Sequence, residues 1–154
     1  MTVKDIPIQE CIEVHLVNAI APFVLIQQLL PVMDCKSTSN YSHIINVTSM
    51  EGSFSKVYKS GSHLHTNMAK ASMNMITRTA GPSFFKHHRI LMNSVDTGWV
   101  DEMIPRHDQY QHVVPIPLDV IDGAARVLDP VMEFVNRKQI MSGVFFKDYM
   151  VSEW

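Results

Sequence analysis

The chain has 154 residues, of which 46% are hydrophobic, 8% aromatic and 18% charged. That is one modest domain's worth of chain, with enough apolar material for a core. Six glycines and eight prolines exclude collagen-like and low-complexity classes, and the apolar fraction excludes disorder as the dominant state. Thirteen basic residues against fifteen acidic ones give a formal charge of −2. No basic stripe of the kind nucleic-acid binding needs is present, so no nucleic acid is expected as a partner.

The opening MTVKDIPIQECIEV mixes Lys4 with Asp5, Glu10 and Glu13, which fits neither a secretory signal nor a transit peptide. Ile12, Leu16, Ile20, Phe23, Ile26, Leu29 and Leu30 then recur at spacings of three and four, predicting a helix over Gln9–Met33 that Pro22 kinks. Its longest apolar run, Leu16 to Ile26, is about half the ~20 residues of a membrane span, so a buried helix is expected and no span. Cys11 and Cys35 bracket this helix, roughly 36 Å apart at 1.5 Å per residue, far beyond the ~7 Å Cα limit of a disulfide. An intracellular, reducing compartment follows as the expectation.

Residues 34–41 read as a loop, and His43-Ile-Ile-Asn-Val-Thr48 as a short buried strand. Glu51 to Ser62, rich in glycine and serine, is a loop long enough to suspect function. A second helix is expected over His65–Ala80, ended by Gly81-Pro82, and a second strand over Arg89–Val95. Asp96 to Pro117 is polar and irregular. A third helix over Leu118–Asp129, limited or kinked by Pro130, and a third strand over Gln139–Phe146 complete the chain. The sequons at Asn40 and Asn46 are read as chance matches, since no secretory signal accompanies them.

Alternating helices and strands are the mark of βαβ crossovers and a parallel sheet. The expectation is an α/β chain with about three parallel strands and three main helices. A doubly wound fold that opens on a helix looks like one with its beginning cut away, because both faces of a parallel sheet need helical cover.

Four signals fall in one order: Asn18 in VNAIAPFVLIQQLLP, Ser49 in IINVTSMEG, Lys70 in HTNMAKASMNM, and the turn NSVDTGWV at Asn93–Val100. Together they resemble the C-terminal half of the short-chain dehydrogenases/reductases, in a divergent branch with a TNMAK segment. The resemblance implies a partial Rossmann-like fold in which residues 1–154 form one half-domain, without the N-terminal dinucleotide-binding half. It implies hydride-transfer chemistry on an alcohol or carbonyl with NAD(P). In that chemistry a Tyr is the acid/base, a Lys four residues later lowers its pKa and holds the nicotinamide ribose, a Ser polarises the substrate oxygen, and an Asn supports a water relay. Asn18, Ser49 and Lys70 match these roles, with Lys70, Thr97 and Gly98 on the cofactor side.

The Tyr position is Thr66. An aliphatic alcohol is a far weaker acid than a phenol, and a neighbouring ammonium does not close the gap. His63 and Tyr58 are the conceivable substitutes. None of the six glycines forms a G-x-G-x-x-G loop, so no cofactor is expected to bind this chain alone. His63, His65, His87, His88, His107 and His112 lack the spacing of a zinc site, and no metal is expected. Met68, Met73 and Met75 are read as filling core gaps or a helix surface between subunits.

These readings converge on a non-catalytic interaction or assembly subunit, a pseudoenzyme. Its protein partner covers the open sheet edge, or it forms a homo- or hetero-oligomer through helices 9–33 and 65–80. The alternative is an NAD(P)-dependent oxidoreductase whose N-terminal half comes from another chain or is missing from this one.

Overall fold

The computed structural model describes residues 2–100 and 117–154. Its elements are helix α1 (Ile8–His15), a π-helical turn (Leu16–Ile20), α2 (Ala21–Met33), strand β1 (Ser42–Thr48), a 3-10 turn (Met50–Gly52), α3 (Leu64–His88), β2 (Ile90–Asp96), α4 (Val120–Arg137), β3 (Phe145–Lys147) and β4 (Met150–Ser152). The sheet order is β1-β2-β3-β4. β1 and β2 run parallel from Ser42 opposite Ile90 to Thr48 opposite Asp96. β3 continues the parallel set, and β4 turns back antiparallel. The architecture is thus α/β with a mixed four-stranded sheet.

Alternation along the strands assigns the two faces. Asn46 and Thr48 of β1 and Ser94 of β2 reach α3: Asn46 Nδ2 and Ser94 Oγ each donate to Thr77 Oγ1 at 2.8 Å, and Thr48 Oγ1 donates to the Lys70 carbonyl at 3.2 Å. His43 points the other way and meets the Phe134 ring of α4 edge-on at 5.1 Å. With helices on both faces, every residue of β2 is buried. This explains its unbroken apolar-and-small run better than alternation would. Asn46 is itself buried, so its sequon is occupied by a core hydrogen bond.

Four expectations need correction. The second helix does not stop at Gly81-Pro82 but runs on to His88. A Cβ on Gly81 would lie 2.5 Å from Gly143 N, and Ser142 Oγ donates to the Gly81 carbonyl at 2.9 Å. The Gly-Pro pair marks where residues 142 and 143 cross the helix, and this close packing outweighs one lost helical bond. The third helix likewise continues through Pro130 to Arg137, and it starts at Val120 because Asp119 caps it, accepting from Ile121 N and Asp122 N at 2.8 Å.

The third strand covers Phe145–Lys147 and not 139–146. Residues 141–144 run beside β2 on a mixture of bonds. Gly143 N donates to the Met92 carbonyl and Ser94 N to the Val144 carbonyl, while Met92 N donates to Ser142 Oγ and Asn93 bridges the Met141 carbonyl and Val144 N. The fourth correction is β4 itself, formed by the closing tail. Asp148 and Tyr149 both adopt positive φ between β3 and β4, the two-residue hairpin geometry that usually selects Asn-Gly.

The first helix spans Ile8–Met33, one residue longer than the expected Gln9–Met33, with a π turn ahead of Pro22. It is not the buried helix expected, since only Ala19 along it is buried and its apolar side chains have no layer packed over them among the described residues. It is 26 residues long and, by length and composition alone, apolar enough to cross a membrane. The shorter run counted in the sequence understated its reach. The helix is joined to α3 by His65, whose Nε2 lies 3.1 Å from Glu10 Oε1. Of the three methionines, only Met73 sits in the core. The irregular stretch from 101 to 116, with His107 and His112, lies outside the described residues.

Two outcomes follow from this packing. Gly81→Ala drives a methyl into the Gly143 backbone and lowers stability by about 1–3 kcal/mol. Gly61→Ala, with nothing within 4 Å, leaves the urea midpoint unchanged or slightly raised. Burial against Phe134 also holds the His43 imidazole below the ordinary histidine range. The unfolded chain therefore binds this proton first as pH falls through about 6.5. The His43 contribution is complete above that value and is lost below it. Urea midpoints of wild type and His43→Phe, compared at pH 7.5 and 5.5, should diverge in favour of the variant at the acid end.

Candidate functional site

The C-terminal ends of β1 and β2 open into a cleft of about 620 Å3, lined among others by Ser49, His63, Asp96, Gly98 and Lys147. Ser49 follows β1 in extended conformation, and its Oγ accepts from Glu51 N at 3.1 Å, which starts the 3-10 turn. That bond uses a lone pair and leaves the hydroxyl proton to donate to an oxygen in the cleft. Gly98 follows β2 with φ of 75°, and a Cβ there would strike Leu118 Cδ1 at 2.5 Å, so both backbone shape and space require glycine. Thr97 Oγ1 turns to the Gly98 carbonyl at 3.3 Å.

Asp96 ties the two strand ends together, and the sequence reading did not single it out. Its Oδ2 accepts from Met50 N and its Oδ1 from Gly98 N, each at 2.6 Å, and Lys147 Nζ lies 3.7 Å from Oδ2. The signal was present: Asp-x-Gly is the pattern of a side chain accepting from the amide two residues on. Lys147 had no local signal, because only the register of β3 beside β2 brings it to Asp96.

The other expected positions sit apart from this cleft. Thr66 and Lys70 occupy consecutive turns of α3 and are half-buried. Neither lines the cleft with Ser49. Lys70 Nζ donates to the Val47 carbonyl of edge strand β1 at 3.0 Å, and burial lowers its pKa. The side chain of Asn18 lies in the π turn and donates to the Val14 carbonyl at 3.1 Å. Its backbone carbonyl loses the usual α-helical donor because Pro22 has no N–H. Such π turns recur at functional positions. Ser49 and Gly98 thus line one cleft, and Asn18, Thr66 and Lys70 lie on the neighbouring helices.

Of the two substitutes for the missing phenol, His63 reaches the cleft and Tyr58 does not line it. His63 precedes α3 in the left-handed region, φ 59°, a conformation that disfavours a side chain. Among the described residues, His65 lies on Glu10 and His88 on Asp34 at 2.7 Å. The His88 hydrogen bond holds the Asp34 carboxyl below its ordinary range.

A parallel β1-β2-β3 set with its cleft at the strand ends and helices on both faces is the Rossmann-like fold of the short-chain dehydrogenases/reductases. Comparison with solved structures gives the same fold. An NADPH-bound carbonyl reductase from chicken fatty liver matches with a TM-score of 0.75 and 24% identity, covering 100% of this chain and 61% of its own. Carbonyl reductase Sniffer of D. melanogaster matches with a TM-score of 0.77 and 22% identity, with the same coverage. No family model matches the sequence. An uncharacterized protein of Acanthamoeba polyphaga mimivirus is 30% identical over 146 residues, 90% of this chain and 30% of the viral protein. The chain thus spans under two thirds of each carbonyl reductase and less than a third of its viral relative.

Removing the Asp96 carboxylate leaves two backbone donors without an acceptor. Asp96→Ala should cost about 2–4 kcal/mol, near 1–2 for each donor. Hydrogen exchange should show the Met50 and Gly98 amides losing protection first, ahead of the centre of β2.

Proposed function

We propose that this chain is the sheet-and-helix half of a short-chain dehydrogenase/reductase-type domain and acts as an interaction or assembly subunit without catalysis of its own. The observation that carries this reading is the apolar helix Ile8–Met33. Ile8, Ile12, Leu16 and Ile20 recur every fourth residue and stand exposed, and Phe23 on the next turn is 51% exposed. An exposed apolar stripe of this length marks a contact surface. Beside it β1 is an edge strand, and edges of parallel sheets are ordinarily covered. The partner we infer lays a strand against β1 and a helical layer against the stripe. Thr66 in the phenol's place, and the Lys70 ammonium engaged by Val47, support the non-catalytic part.

A second reading has its own observation. Ser49 and the Gly98 turn flank one open cleft at the strand ends, where open α/β sheets bind ligands, and one structural relative was solved with NADPH. There the chain is one part of an NAD(P)-dependent oxidoreductase acting on an alcohol or carbonyl, completed by a second polypeptide.

Sedimentation and calorimetry separate the two. The assembly reading expects the purified chain to self-associate or to recruit a partner through the helix, and Phe23→Asp with Leu25→Asp to abolish that association. It also expects no heat on titration with NADPH. A cooperative monomer at micromolar concentration would overturn it. Micromolar NADPH binding, lost in Gly98→Val, would favour the oxidoreductase.

A further inference from the structure

On α3, Leu64, Asn67, Met68 and Ala71 form one stripe at three- and four-residue spacing, rotated well away from Thr66 and Lys70. The loop after β1 folds over it. Together they enclose a pocket of about 360 Å3 whose walls include Phe54, Leu64, Met68 and Ala71, a size typical of small-molecule sites. A second hollow of about 20 Å3 lies behind and shares Gly52, Phe54 and Ala71 with the first. Its wall carries Asn74, only 5% exposed, whose Nδ2 and Oδ1 both lack a partner among the described residues. Leaving such a buried amide unsatisfied is costly, and a leucine of similar bulk would avoid that cost.

The loop that roofs the hollows is firmly seated. Gly52 lies so close to the Lys70 and Ala71 backbone that a Cβ would approach within 2.6 Å. Ser55 N donates to the Trp154 carbonyl at 2.9 Å, and Ser55 Oγ to the Glu153 carbonyl at 3.2 Å, while Trp154 stacks on Phe145. Phe54 between the hollows is 85% exposed, so turning its ring breaks little packing.

We propose that the two hollows are one binding site for a small apolar molecule bearing a carboxamide. Its apolar body fills the outer pocket, and its paired donor and acceptor meet the Asn74 amide with Phe54 turned aside. The site shares no wall with α1, α2 or β1, so it stands or falls apart from the assembly reading.

The test uses the full chain with 13C-labelled methionine methyls and three probes: benzamide, N,N-dimethylbenzamide and toluene. Met68 borders the outer pocket and Met75 the inner hollow. Benzamide should shift both methyls saturably, about tenfold more tightly than N,N-dimethylbenzamide, which has no N–H to donate. Asn74→Leu should erase that preference, and Phe54→Ala should weaken all three probes. Shifts confined to Met68 without discrimination would overturn the proposal, leaving Asn74 as the holder of a single water. So would the absence of any saturable shift. Should Asn74→Leu fail to fold, the comparison of benzamide with N,N-dimethylbenzamide on the unaltered chain still decides.

Discussion

The position of α3 on the sheet governs everything else in this chain. Thr77 Oγ1 accepts from Asn46 of β1 and from Ser94 of β2 at once, with all three side chains buried. Each neutral hydrogen bond adds only about 1 kcal/mol net, but losing one strands a buried polar group, so the seam sets register more than it adds stability. One turn further along, Gly81 admits the backbone of Gly143, and at the other end Gly52 rests on Lys70 and Ala71. Three close approaches along one helix leave it no freedom to slide.

The cleft depends on this seating only in part. Ser49 and Gly98 need only the strand ends, and Asp96 holds those ends together by accepting from both following turns. Lys70 depends on its surroundings in a different way. A half-buried ammonium seeks an oxygen, and Lys70 Nζ donates to the Val47 carbonyl on the edge strand.

Much of the fold was legible because hydrophobic spacing is local. Strands β1 and β2 and the first helix were placed within a residue or two from periodicity alone, and Pro22 announced the π turn. The errors share one cause. Gly81-Pro82 and Pro130 read as helix breakers locally, but tertiary contacts carry both helices through them. Segment 139–144 reads as a strand, and residues 143 and 144 keep backbone bonds to β2, but side-chain bonds of Asn93 and Ser142 interrupt the ladder. The β3–β4 hairpin turns on Asp148-Tyr149, whose positive φ values no common turn signature foretells. In the cleft, Ser49 and Gly98 could be named from motif, whereas Lys147 reaches Asp96 only through sheet register.

The edge of β1 and the apolar helix pose a single physical problem. Ten large apolar side chains between Ile8 and Val32 stand exposed. Burying such a residue fully stabilises by roughly 1.5–3 kcal/mol, so covering ten half-exposed ones is worth on the order of 10 kcal/mol. That equals the whole stability of an ordinary domain, about 5–15 kcal/mol. A bilayer could take up the same residues by length, yet Asn18 sits mid-helix and Glu10 is tied to His65 of α3. A membrane-spanning position would have to break that tie and carry Glu10 and Glu13 with it, and it would leave β1 uncovered. A protein layer satisfies helix and strand edge together, which is why the assembly reading takes precedence over a lipid-facing one.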